Sequence, residues 1–126
     1  FAGGARILNI GTDKLVPIVE NGGTNMIRIS KILNEELKPF LDFKIDTLAL
    51  GCSHFPFLKK EMQKILGKKV LILDSSGAIA RQVERVLKNN NELSVYNSFG
   101  HTLLTTGDLK KFIKLSKKIL VKRLKF

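Results

Sequence analysis

Cys52, Ser53 and His54 stand together in the stretch Leu48-Ala49-Leu50-Gly51-Cys52-Ser53-His54-Phe55-Pro56. Of all the residues in this 126-residue chain, these are the ones best suited to chemistry. A thiol gives and takes a proton near neutral pH once its surroundings tune it. An imidazole two positions along can orient that thiol or exchange a proton with a partner. Glu20, at the end of the apolar run Val16-Pro17-Ile18-Val19, is a candidate carboxylate. Each residue also has a plainer reading. Free cysteine often packs as a small hydrophobe. A loop histidine can simply bond to backbone, Ser53 can cap a helix, and Glu20 can turn outward to a lysine. Metal binding has little support, because Cys52 and His54 are separated by one residue and His101 is distant.

The elements around these residues place them in a strand-to-helix loop. Thr47 to Leu50 reads as a short buried strand. Gly51 frees the backbone to turn. Pro56 opens a segment of helical spacing, Phe57 to Leu66, and proline suits a helix start. In open α/β sheets such loops lie at the carboxyl ends of strands, where ligands bind. A helix N-terminus behind Cys52 would favour a thiolate or a substrate carboxylate.

Before this loop, Arg6–Ile10 reads as a strand and Lys14–Glu20 as a short helix or irregular segment. Thr24 is a plausible cap for a helix whose apolar face carries Met26, Ile27, Ile29, Ile32, Leu33, Leu37 and Phe40. After the loop, Gly67 stops the helix and Val70–Leu73 forms a strand. A helix then carries Ile79, Ala80, Val83, Val86 and Leu87, and Asn89-Asn90-Asn91 breaks it. Thr102–Thr106 reads as a last strand, and Asp108 caps a basic terminal helix. The alternation predicts an α/β fold, a mostly parallel sheet flanked by helices.

The net charge of +11 raises the question of nucleic acid or an anionic surface. Much of the excess, from Lys110 to Lys125, falls opposite the apolar face of the terminal helix, as on a solvated amphipathic helix. No aromatic residues interleave with those lysines as a single-strand binder would want. Nucleic acid is therefore not the expected partner, and a basic nucleic-acid-binding module is kept as an alternative. No apolar run approaches a membrane span. A lone cysteine makes no internal disulfide and fits a reducing compartment.

Leu50-Gly51-Cys52-Ser53-His54-Phe55-Pro56 resembles the L-G-C-T-H-Y-P pattern of glutamate racemases, in the aspartate/glutamate racemase superfamily. The resemblance runs collinearly over nearly all of the chain. Val16-Pro17-Ile18-Val19-Glu20 is similar to the family's V-P-L-V-E, Asp74-Ser75-Ser76-Gly77 to its D-S-G segment, and Thr106-Gly107-Asp108 to its closing T-G-D. It implies racemisation of glutamate without cofactor or metal, supplying D-glutamate for peptidoglycan in the cytoplasm. In that mechanism two cysteines face opposite sides of the substrate Cα. One thiolate removes the proton and the other thiol delivers one. Cys52 matches the second cysteine, His54 the histidine assisting it, and Glu20 an acid near that histidine. Ser53 replaces a substrate-contacting threonine and keeps the hydroxyl, whereas Phe55 replaces tyrosine and loses one. His54 is also expected near substrate.

The family's first cysteine and its N-terminal D-S-G loop have no counterpart here. The chain begins Phe1-Ala2-Gly3-Gly4, without Met. It is expected to be the C-terminal half of a two-domain, pseudo-symmetric racemase, inactive alone. Residues 1–73 would belong to the cysteine-bearing domain, and residues 74–126 would return to complete the other. Glutamate, the missing N-terminal half and a second copy of the enzyme are the partners the resemblance suggests. Aspartate or hydantoin racemisation is the alternative within the superfamily. We expect Cys52, Ser53 and His54 on one concave surface, with the Glu20 carboxylate close to His54.

Overall fold

The computed structural model describes residues 3–22, 25–94 and 102–120, with side chains described as far as residue 117. Its elements run α1 (Leu15–Glu20), α2 (Met26–Asp42), β1 (Thr47–Ala49), a 3-10 turn (Phe55–Leu58), α3 (Lys59–Leu66), β2 (Leu71–Leu73), α4 (Ser76–Asn89) and α5 (Leu109–Leu120). The chain divides into two compact units, Phe1–Ser76 and Gly77–Phe126.

In the first unit, α2 buries Ile29, Leu33 and Leu37, spaced four apart on one face, with Asn25 as its cap. The Asn25 side chain accepts Arg28 N–H at 3.0 Å. The cap expected at Thr24 is thus taken by its neighbour, and Thr24 itself lies outside the described residues. From α3, Met62 and Leu66 meet this face, joined by Leu15, Val19, Leu48, Leu58, Val70 and Ile72 in one core. Gly67 closes α3 with φ of 79°, a region that favours glycine. The Gln63 amide donates to the Gly67 and Val70 carbonyls at 2.7 and 2.9 Å and pins the turn into β2.

β1 and β2 pair in parallel, in the register Thr47–Leu71, Leu48–Ile72, Ala49–Leu73. Two further backbone bonds extend the ladder: Leu71 N–H to Asp46 O at 2.8 Å and Leu50 N–H to Leu73 O at 2.9 Å. Leu48 and Ile72 point into the core, while Leu71 and Leu73 are half-exposed on the opposite face. The α/β class and the two central strands thus stand as expected.

Two expected strands do not form. Arg6–Ile10 is without ladder bonds, and Ile7 is 81% exposed. Thr102–Thr106 is likewise irregular, with Leu104 87% exposed. Strand propensity is realised only against a paired neighbour, and among the described residues neither segment has one. In the second unit α4 leaves Ile79, Val83 and Val86 of its apolar face exposed. α5 is capped as expected, Asp108 Oδ1 accepting Lys111 N–H at 2.9 Å. His101, Lys122, Arg123 and Lys125 lie outside the described residues. No described helix is long and apolar enough to cross a membrane.

Among the described residues, two lysine–carboxylate pairs join separate elements of the first unit. Lys14 Nζ meets Glu36 Oε1 at 2.7 Å, and Lys59 Nζ meets Asp74 Oδ2 at 2.6 Å. The bond from Lys14, with a second from Thr12, holds the Glu36 carboxyl below its ordinary range. The bond from Lys59, with another from Ser76, does the same for Asp74. A carboxyl depressed in the folded state stabilises that state above its ordinary pKa of about 4, and the contribution is lost as pH falls through the folded value. The urea midpoint is therefore expected to drop on acidification below about pH 4. The double variant Glu36→Gln with Asp74→Asn should flatten that drop. An equal acid slope in parent and variant would assign it to other groups.

Candidate active site

Gly51 and Cys52 follow directly on β1. Leu50 is still bonded to β2, so the chain leaves the sheet at Gly51. The chain turns at Gly51 as expected, without a left-handed φ, and a Cβ there would meet open space. The chain then curls tightly, with Phe55 N–H to Cys52 O and Phe57 N–H to His54 O, both at 3.2 Å. The helix expected over Phe57–Leu66 forms as α3 from Lys59, preceded by a single 3-10 turn at Phe55–Leu58. One such turn carries little of a helix dipole. Ser53 does not cap it: the cap position is His54, without a side-chain bond.

This curl sets the side chains in a row. Cys52 Sγ lies 3.7 Å from His54 Nδ1. His54 Nε2 lies 3.4 Å from Glu20 Oε1, at the C-terminal end of α1. Cys52 and His54 are half-buried, whereas the Glu20 side chain is 57% exposed. The expected closeness of Glu20 to His54 is therefore present in the geometry. A tautomer with Nε2–H turned toward Glu20 leaves Nδ1 as an acceptor for the thiol proton.

Cys52 also lines a cavity of about 370 Å³. Its apolar wall includes Leu15, Leu37, Phe40, Leu48, Phe55 and Met62, and Asn9, Thr12 and Glu36 bring polar groups to it. Ser53 and His54 do not line this cavity with Cys52. Cys52 lines the cavity, His54 reaches from Cys52 to Glu20 on α1, and Ser53 is exposed. Asn9 falls within Arg6–Ile10, which reads as a strand, and Thr12 within the turn that follows it, so neither stands out in the sequence. The polar, glycine-bearing run Asn9-Ile10-Gly11-Thr12 was the available signal. Among the described residues no group of three or more His, Cys, Asp or Glu side chains could hold a metal ion.

No family model matches the chain. A glutamate racemase of Clostridium perfringens is 36% identical over 107 residues, covering 84% of this chain and 41% of that protein. The crystal structure of a Bacillus anthracis glutamate racemase superposes with a TM-score of 0.76 at 28% identity, over 87% of this chain and 41% of that one. A Francisella tularensis glutamate racemase solved with D-glutamate superposes with a TM-score of 0.66 at 25% identity, over 88% and 41%. The chain thus spans about two-fifths of the length of the relatives it matches. In sequence and in fold it is homologous to the glutamate racemases, and it corresponds to the C-terminal half of that family's chain.

Proposed function

We propose that this chain is the C-terminal half of a cofactor-independent glutamate racemase, which interconverts L- and D-glutamate in the cytoplasm and supplies D-glutamate for peptidoglycan. The observation that carries the proposal is the placement of Cys52. Its sulfur stands at a cavity wall with His54 at 3.7 Å, and His54 in turn faces Glu20 at 3.4 Å. A thiol so placed can transfer a proton at one face of a substrate Cα. His54 takes up or returns the thiol proton, and Glu20 stabilises the imidazolium that results. The complex of a homologue with D-glutamate supports the choice of substrate.

Racemisation needs an acid on one face of Cα and a base on the other. These 126 residues hold a single cysteine, and His54 lies on the same side as Cys52. Residues 1–126 alone are therefore expected not to racemise glutamate, whereas the complete gene product does. Circular dichroism of L- and D-glutamate incubated with each protein reads the difference. Aspartate and a hydantoin in parallel test the substrate, and faster turnover of either would replace glutamate in this reading. Robust turnover by residues 1–126, free of host racemase, would overturn the two-cysteine mechanism.

Within the complete enzyme, His54→Asn is expected to cost more activity than Glu20→Gln. His54 contacts the sulfur directly, while Glu20 acts through His54 and is well exposed to water, which screens it. A larger loss in Glu20→Gln would reverse the order of roles.

A further inference from the structure

The end of β2 holds the cysteine loop from both sides. At the loop's entry, Leu73 O accepts the Leu50 N–H at 2.9 Å. At its exit, Lys59 Nζ donates to Oδ2 of the very next residue, Asp74, at 2.6 Å. The other carboxylate oxygen, Oδ1, accepts Ser76 N–H at 3.2 Å, which fixes the carboxylate's orientation. Asp74 is largely shielded from solvent and Lys59 is half-exposed. Between these two anchor points runs the segment 51–58, with Cys52 and His54 on it. Inside that segment the backbone bonds are long, at 3.2 Å each. Leu58, with Phe55 packed against the core, seats the later part of the segment, so the stretch bearing Cys52 is fixed by these core contacts together with the two ends on β2 rather than by its own backbone bonds.

Proton transfer at carbon is sensitive to aim. A displacement of about 1 Å at a reacting group can cost about 100-fold in rate. We infer that Asp74, acting through Lys59, is a positioning residue that fixes the direction in which Cys52 presents its sulfur to substrate. This inference rests on the racemase reading given above. It assigns Asp74 and Lys59 no contact with substrate. The alternative is an ordinary ion pair that only adds stability.

The test uses the complete enzyme with the variants Asp74→Asn, Lys59→Gln and Lys59→Arg. The first two should lower kcat by about 10- to 100-fold with KM for glutamate nearly unchanged. Lys59→Arg keeps the charge and should retain most of the rate. The decisive reading is the isotope effect with α-deuterated L- and D-glutamate. Cys52 is the base in only one direction of turnover, so slowing its transfer should raise the isotope effect in that direction alone. Unchanged kcat in Asp74→Asn, or isotope effects that rise equally in both directions, would overturn the inference. Should Asp74→Asn fail to fold, the two Lys59 variants carry the same comparison. If the complete parent enzyme does not racemise glutamate, the functional reading fails and the clamp is judged separately, by the alkylation rate of Cys52 with iodoacetamide read by peptide mass. Faster alkylation in Asp74→Asn and Lys59→Gln, with a parental rate in Lys59→Arg, would support it. Identical rates in all four proteins would sink it.

Discussion

Cys52→Ser in the complete enzyme is expected to lower glutamate racemisation by about 10²–10⁴-fold, the range over which a positioned acid or base contributes. The reason is acidity rather than shape. Serine fills nearly the volume of cysteine, and Cys52 is half-buried with its sulfur turned to His54 at 3.7 Å. The fold should thus be little disturbed. The hydroxyl, however, is far harder to deprotonate than a thiol, and His54 cannot make up the difference. Glutamate binding should survive, since carboxylate contacts do not depend on the proton-transfer group. Circular dichroism of both enantiomers measures turnover, and isothermal titration measures retained binding. Normal turnover by the variant would remove Cys52 from the chemistry.

The second large effect concerns stability. Leu33 on α2 is wholly buried, at 0% exposure, in the core that also holds Met62 from α3. Leu33→Ala removes three heavy atoms there and leaves a cavity, so unfolding free energy should fall by about 2–5 kcal/mol. Ile27 supplies the control on the same helix. It is 85% exposed, and Ile27→Ala should change stability by no more than about 0.5 kcal/mol. Urea unfolding followed by circular dichroism at 222 nm reads both variants. Similar losses in the two would mean that α2 does not present this face to the core.

Much of this was legible in the residues themselves, for reasons that differ between elements. β1 and β2 were readable because each is an apolar run bounded by turn residues, and each has the other as its partner. The helical face of α2 was readable from Ile29, Leu33 and Leu37 recurring every four residues. Arg6–Ile10 and Thr102–Thr106 were misread for one shared reason: an apolar run records a tendency to pair, and pairing needs a neighbour. The proximity of Glu20 to His54 was suggested by two matching motifs and by nothing in their spacing, since the two residues sit on different elements. The short 3-10 turn was hidden because proline fits the start of either kind of helix. The Lys59–Asp74 clamp was invisible, because only the parallel register brings the start of α3 beside the end of β2.

Among the described residues, the groups proposed to act on Cys52, namely Glu20, His54, Lys59 and Asp74, belong to the first unit. Their order along the chain has a consequence during synthesis. A polypeptide leaves the ribosome N-terminus first, and domains generally fold as units as they emerge. The last of these partners, Asp74, is made before any of α4 or α5. The thiol, its imidazole and the clamp can therefore assemble on the nascent chain while the second unit is still being translated. A ribosome-stalled chain long enough for Asp74 to have cleared the exit tunnel should already protect Cys52 from alkylation relative to the urea-unfolded chain.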